Sequence, residues 1–409
     1  MNVRKLLLCS LILALTLPAA AQRRRSTGSG SVTLIDLGGL FSLTGDGATL
    51  GAASAASLEL AARDINAEFD ALDVPYRVTT SIVDSQLVPS VAADQFAILA
   101  ERGVPFVIGP QSSAEAAAIR ESAGEHDVIV ISQGSTASTL AIAGDNLFRL
   151  APNDRLEGDA MASLMRADGI DTMLPMWRDD TGNRGLYTGV TDYFRTGGGT
   201  VLTGLSYDPA TTDFTSQVTA LGAALRAWRA EHPNAKIGVY VAAFEEAVEI
   251  FKLARLDADL SSVRWYAGDG ITRSQAILND TNAMQFAAST FLTAPNVGLD
   301  EVLRDRWEPI QNELALALGF VPDTYALSVY DAAWVAALSA VEVQLRRHNL
   351  REAFVRNIQR YWGLTGPTAL DAAGDRKLAS FDLWTVRLTI EGGPEWVRTA
   401  QFTGGRIAR

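Results

Sequence analysis

Residues 104–136 read VPFVIGPQSSAEAAAIRESAGEHDVIVISQGST, and this stretch places a helical pattern between two apolar runs. The runs at 104–108 and 128–131 predict short strands that are buried on both faces of a sheet. Residues 114–123 between them predict a helix. Strand, helix and strand in this order are typical of a parallel sheet that is covered by helices.

The same alternation extends along the chain on both sides of this unit. Before it, strands are predicted at 32–37 and 77–83, and helices at 51–69 and 89–102. After an irregular stretch at 146–154 the pattern restarts, with helices at 156–167, 184–195, 214–228 and 244–256 and strands at 173–177, 200–205 and 237–241. A long helix at 323–345 and short strands within 381–390 follow. The sequence therefore predicts an α/β fold with two doubly wound parallel sheets.

Length and the N-terminal segment indicate an exported, two-domain protein. The chain has 409 residues, of which 48% are hydrophobic, which suffices for two cores. Residues 1–21 predict a signal peptide, with Arg4 and Lys5 before an apolar run and small residues before Gln22. Because of the signal peptide, we expect a periplasmic or otherwise extracytoplasmic location. Residues 22–31 predict a flexible linker. The single cysteine, Cys9, lies in the signal segment, which leaves none for disulfides or thiolate chemistry.

The composition and motifs argue against nucleic-acid binding and against catalysis. The net charge of −12 disfavours contact with phosphate backbones. No Walker loop, Gly-x-Ser-x-Gly elbow or His-Glu-x-x-His stretch occurs, and the glycines at 45–51 depart from the dinucleotide-binding spacing. His126, His232 and His348 stand among polar residues, and the acidic pairs at 179–180 and 245–246 predict solvated carboxylates. We therefore expect no enzyme, no cofactor and no metal site.

Two hydroxyl-rich turns follow the apolar runs of the opening stretch. The first contains Ser112 and Ser113, and the second contains Ser132, Gly134 and Thr136. Open parallel sheets bind ligands beyond the carboxyl ends of their strands, where both turns lie. A hydroxyl beside free backbone N–H groups favours a carboxylate. For Ser113 and Thr136, these residues alone leave two interpretations open, ligand contacts or simple helix caps.

Four stretches together resemble one known family. They are 43–51 (LTGDGATLG) with the helix ending at 64–66 (DIN), 107–113 (VIGPQSS), 131–136 (ISQGST) and 364–375 (LTGPTALDAAGD). Their order and spacing resemble the leucine/isoleucine/valine-binding protein family, the type I periplasmic solute-binding proteins of amino-acid ABC transporters. The resemblance implies two doubly wound lobes joined by a multi-strand hinge. Lobe 1 is then expected at 32–153 plus 296–375, and lobe 2 at 154–295 plus 376–409.

The resemblance also implies a set of ligand-binding residues. It assigns a ligand carboxylate to Ser113 and Thr136, with Ser112 beside them, and a ligand ammonium to the carbonyl of Gly134 and to Asp269. Further positions near the cleft are Asp154, Tyr325, Leu50, Gly182, Ala243 and Phe244. Leu50, Gly182 and Ala243 stand where the branched-chain binders carry bulky aromatics, for which Phe244 or Tyr187 is a possible replacement. The resemblance therefore predicts an amino-acid head group but no particular side chain.

The function implied by this resemblance is capture and delivery of a solute. The exported protein is expected to close on a small polar ligand, an amino acid or a related compound, and to deliver it to a membrane ABC permease as a monomer. The alternative is a ligand-sensing or regulatory protein of the same fold that recognises an amide, urea or a small carboxylate.

Overall fold

The first sheet is built by the N-terminal part of the chain. The computed structural model describes residues 31–346, 349–377, 380–388 and 393–409. The elements in order are β1 (Thr33–Phe41), α1 (Ala48–Ala71), β2 (Tyr76–Asp84), α2 (Pro89–Glu101), β3 (Phe106–Ile108), α3 (Ser113–Glu125), β4 (Ile129–Ser132) and β5 (Leu147–Arg149). The sheet order is β2-β1-β3-β4-β5, and β3 pairs in parallel with β1 and with β4. Each side chain of β3 and β4 is buried, as expected for strands covered on both faces.

The second sheet follows after the chain crosses over beyond Arg149. Its elements are α4 (Asp154–Ala167), β6 (Thr172–Arg178), α5 (Thr181–Thr196), β7 (Thr200–Val201), β8 (Leu205–Tyr207), α6 (Thr215–Glu231), β9 (Ile237–Ala242), α7 (Ala247–Ala254), β10 (Arg264–Ala267), α8 (Gln275–Asn279), α9 (Thr281–Ser289) and β11 (Thr293–Val297). Strands β6, β9, β10 and β11 are parallel neighbours. Apolar side chains cover both faces of this sheet, with Trp265 packed edge-on against Phe286 on one of them.

The C-terminal part of the chain contributes to both lobes. After Val297 it forms α10 (Arg304–Leu318), α11 (Thr324–Arg346), α12 (Leu350–Ile358) and the short pair β12 (Trp362–Gly363) and β13 (Gly366–Pro367). Helix α11 packs on α1, where Ser57 Oγ donates to the carbonyl of Ala326. The antiparallel strands β14 (Phe381–Leu388), β15 (Pro394–Thr403) and β16 (Arg406–Ala408) then extend the second sheet beside β11. We call the part built on the first sheet, with α10–α12, the first lobe, and the rest the second lobe.

Helix α11 is long and apolar enough to cross a membrane by length and composition alone. In the structure, 72% of its most apolar window is buried inside the protein. The same composition is therefore explained by its place in the core of the first lobe, where it packs between α1 and α12.

The predicted α/β fold is confirmed, and several details differ. Residues 147–149 were expected to be irregular and instead form β5, the edge strand beside β4. The strand predicted at 200–205 is two short strands, β7 and β8, which both pair with β6. The predicted signal peptide at 1–21, residues 22–30 of the linker and His348 lie outside the described residues. The lobe boundaries proposed above stay a prediction.

Candidate functional site

In the turn after β3, the neighbouring residues Ser112 and Ser113 form different hydrogen bonds. Ser112 caps α3, because its Oγ accepts a hydrogen bond from the Glu115 N–H at 3.2 Å and its own N–H donates to the Glu115 carboxylate at 3.1 Å. The neighbouring Ser113 Oγ instead accepts from the backbone N–H groups of Thr136 and Ala137, at 3.2 and 3.0 Å. The capping interpretation is therefore wrong for Ser113, because Ser112 is the residue that caps the helix.

Thr136 and Gly134 occupy the second turn, beyond β4. Thr136 is 4% exposed and caps no helix, because the short 3-10 turn that follows, Ser138–Leu140, begins after Ala137. A Cβ on Gly134 would lie 2.0 Å from Nε2 of Gln111, so a larger residue at this position would displace that amide. The Gln111 side chain is fixed in turn by the Gln133 amide, whose Nε2 donates to its Oε1 at 3.0 Å. Both turns thus form one hydrogen-bonded surface on the first lobe.

Asp154 joins this surface to the second lobe. It is the first residue of α4, its N–H donates to the carbonyl of Thr136 at 2.9 Å, and its Oδ2 accepts from the Ser138 N–H at 3.3 Å. Its side chain is buried, and its Oδ1 has no hydrogen-bond partner in the described structure. Burial raises the pKa of Asp154 to about 7; the Thr136 hydroxyl opposes this shift, and the charge of Asp269 adds to it.

Asp269 lies beyond the carboxyl end of β10 and contacts both lobes. The Tyr325 hydroxyl, from α11 of the first lobe, donates to Asp269 Oδ2 at 2.5 Å. The Asp269 N–H donates to Oε1 of Glu157, a buried residue of α4, at 3.2 Å. Burial raises the pKa of Asp269 to about 6, although the hydrogen bond from Tyr325 lowers it. Burial also raises the pKa of Glu157 well above its ordinary value, and the charges of Asp269 and Asp154 raise it further.

Further contacts connect the lobes around these groups. A Cβ on Gly182, at the start of α5, would lie only 3.5 Å from Ser113 Oγ, so this glycine faces the first turn directly. Thr49 Oγ1 donates to Oε1 of Glu245 at 2.6 Å. Asp46 in the loop before α1 pairs with Arg178 at 3.2 Å. The two lobes are therefore in contact at several points besides Tyr325 and Asp269.

The structure brings together most, though not all, of the predicted site residues. Those linked by the contacts above are Ser113, Thr136, Asp154, Gly182, Asp269 and Tyr325. Leu50 is buried in the first turn of α1, and Ala243 is buried as well. Phe244 packs beside Gly270 and under the Arg178 guanidinium, while Tyr187 stacks on Trp177 with ring centroids 3.8 Å apart.

Three acidic residues were misjudged or missed from the sequence. Asp180 was expected to be solvated, but its side chain is only 10% exposed and lies 3.0 Å from the Arg178 guanidinium. Glu246 was expected to be solvated, but it is 8% exposed and accepts a hydrogen bond from the Tyr207 hydroxyl at 2.7 Å. Glu157 was not singled out at all. Its position three residues after Asp154 places both carboxylates on one face of α4, and this spacing was the available signal.

Comparison with known proteins places the chain in a family. Residues 53–389 match the family described as "Receptor family ligand binding region". The chain belongs to this family. A relative of this receptor-family chain is an uncharacterised protein from Methanocaldococcus jannaschii, 24% identical over 406 residues that cover 94% of each chain.

Solved structures show the same fold as this receptor-family protein. A leucine-binding protein, LivK, from Thermotoga maritima has a TM-score of 0.74 and 17% identity, covering 90% of this chain and 99% of its own. The branched-chain amino-acid binding protein LivJ from Streptococcus pneumoniae, in complex with isoleucine, has a TM-score of 0.71 and 18% identity, covering 90% and 100%. A solute-binding protein of an ABC transporter from R. palustris, in complex with benzoate, has a TM-score of 0.72 and 18% identity, covering 89% and 96%. The predicted type I periplasmic-binding-protein fold is confirmed.

Proposed function

We propose that this protein captures a small polar solute, an amino acid or a related compound, between its two lobes and delivers it to a membrane ABC permease. The observation that carries the proposal is the meeting of Tyr325 and Asp269, from opposite lobes, beside the turn that holds Ser113. A ligand stabilises the closed state only through contacts that the open state lacks. A solute that touches both Ser113 and Asp269 would make such contacts.

The chemistry of the two sides is complementary to an amino-acid head group. On the first lobe, Ser113 Oγ accepts from the N–H groups of Thr136 and Ala137, which leaves its own O–H to donate to a ligand carboxylate. On the second lobe, Asp269 offers a buried carboxylate, which suits an ammonium. An extracytoplasmic location and the head-group roles of Gly134 and Asp154 are part of this proposal. The structural relatives described as ABC-transporter solute-binding proteins support it.

A thermal-shift screen of the purified chain tests the proposal. The screen contains amino acids, amides, urea and small carboxylates, because a ligand that binds only the folded state raises its melting temperature. We expect at least one amino acid to raise it, and the variant Asp269→Asn to lose that response. Asp257→Asn is the matched control, since Asp257 lies on the same lobe and pairs with the exposed Arg226. A response confined to urea or to aromatic acids would contradict the amino-acid assignment.

A second candidate function is ligand sensing. It is favoured by the description of the matching family, which names receptors. The two functions share the binding step and differ in the partner of the closed protein. A permease gene beside this one supports delivery, whereas a signalling gene in its place supports sensing of an amide, urea or small carboxylate.

A further inference from the structure

The second lobe carries three carboxyl groups into the interlobe region, more than one ammonium group can pair with. Asp154, Glu157 and Asp269 are 1%, 1% and 7% exposed. Asp269 and Glu157 are linked directly through the Asp269 N–H. Among the described residues, Oδ1 of Asp154 and Oε2 of Glu157 are buried without any hydrogen-bond partner. Buried oxygens of this kind cost free energy unless a partner reaches them.

The protein supplies no cation for this group. In the described part of the chain, no arginine, lysine or histidine forms an ion pair with Asp154, Glu157 or Asp269. The charge of Arg149 favours the ionised form of Asp154, but its guanidinium is already held by Asp375 at 2.6 Å through two of its nitrogens. A resident metal ion does not fill the role either. Within the described residues, no three or more acidic, histidine or cysteine side chains are placed to hold one.

Glycines let the backbone approach these carboxylates closely, on helix α5 and before Asp269. Gly182 stands opposite Ser113, and Gly185 lies so close to Asp154 that a Cβ would be 1.9 Å from its Oδ2. Gly268, before Asp269, would place a Cβ 3.7 Å from Oε1 of Glu157. Because glycine has no side chain, none of these three positions supplies a hydrogen-bond partner for the carboxylate oxygens that lack one.

We infer that the bound solute carries a net positive charge, with a second ammonium or guanidinium group that reaches Asp154 and Glu157 in addition to the ammonium held by Asp269. This inference rests on the proposed function. A neutral amino acid brings one positive and one negative charge, and therefore leaves the acidic group uncompensated. A dibasic amino acid, or a diamine, compensates it. Raised pKa values of all three carboxyls agree with a site that lacks its cation.

Isosteric pairs of ligands test the inference by calorimetry on the full purified chain. Lysine is compared with norleucine, which lacks only the ε-amine, and arginine with citrulline, which replaces the guanidinium by a neutral urea group. We expect lysine or arginine to bind at least about 100-fold more tightly than its neutral partner, since a buried unpaired charge is strongly disfavoured. This comparison uses the unaltered protein and so does not depend on whether a variant folds.

A charge-neutralising variant identifies the group responsible. Glu157→Gln should lower the preference for the cationic member of the pair at least about tenfold. Glu249→Gln removes the same charge from a side chain that is 52% exposed, and it should leave the preference unchanged. Equal affinities for lysine and norleucine, or a Glu157→Gln variant that keeps the full preference, overturn the inference and leave the proposed function standing. If amino acids of every charge fail to bind, both fall together.

Discussion

Replacing Asp154 by asparagine should flatten the pH dependence of stability. The carboxyl has an ordinary pKa of 3.8 and a pKa of about 7 in the folded chain, because burial opposes its ionisation. The folded state therefore holds this proton more tightly than the unfolded state. The stabilisation that results is complete below the pKa of Asp154 in the unfolded chain. It is lost as the pH rises through the folded-state pKa of about 7. The difference between the two pKa values corresponds to a free energy of about 4 kcal/mol.

The expected result follows from the removal of this titration. Asparagine has the same shape, keeps an oxygen for the Ser138 N–H, and stays neutral at all pH values. Between pH 4 and pH 8, the ligand-free wild type should lose up to about 4 kcal/mol of unfolding free energy more than Asp154→Asn. Urea unfolding followed by circular dichroism at pH 4, 6 and 8 measures both slopes.

The matched control is Asp257→Asn. Although burial opposes the shift, the hydrogen bond from Arg226 lowers the pKa of Asp257, so its contribution to stability has the opposite sign and grows with pH. This variant should therefore lose at least as much stability as the wild type between pH 4 and 8. If Asp154→Asn also retains the full loss, Asp154 is not the buried group whose ionisation opposes folding, and the reasoning is wrong.

Two further perturbations test the contacts that join the parts of the molecule. Thr49→Val removes the hydroxyl that donates to Glu245 across the lobes. In calorimetry, it should weaken binding of the solute found in the screen about tenfold. Thr49→Ser keeps the donor, and equal affinities of the two variants would refute this role. Arg149→Met leaves Asp375 buried and unpaired, and urea unfolding should show a loss of about 3–5 kcal/mol. The exposed Arg77→Met should cost at most about 1 kcal/mol, and a similar cost at both positions would contradict the argument.

The α/β class could be predicted from the sequence because its evidence is local. Strands buried on both faces require continuous apolar runs, and the runs ending at Ile108 and Ile131 show this directly. Edge strand β5 escaped prediction because its three residues, Leu147–Arg149, end in an arginine and so lack the continuous apolar run that β3 has. Its Phe148 is covered by Phe354, with ring centroids 4.8 Å apart, from a helix about two hundred residues later in the chain. No local pattern encodes such a partner.

Some residues of the candidate site could also be predicted from local sequence, and others could not. Ser113 and Thr136 could be singled out because each follows an apolar strand, and the carboxyl ends of neighbouring parallel strands meet at one edge of a sheet. The resemblance supplied Asp269 and Tyr325. That Ser112 rather than Ser113 caps the helix depends on the position of one Glu115 carboxylate, which only the folded turn fixes.

The sequence alone determined the order of strands and helices, the two hydroxyl-rich turns and the acidic balance of the chain, since these depend on neighbouring residues. Only the tertiary structure decided which acidic side chains are buried. Glu157 looks like an exposed helix residue until Gly158 and Gly189 let α4 and α5 approach within backbone contact, which helps to bury it beside Asp269. The charge of the interlobe site is thus a property of helix packing, because burial depends on residues that are distant in the chain.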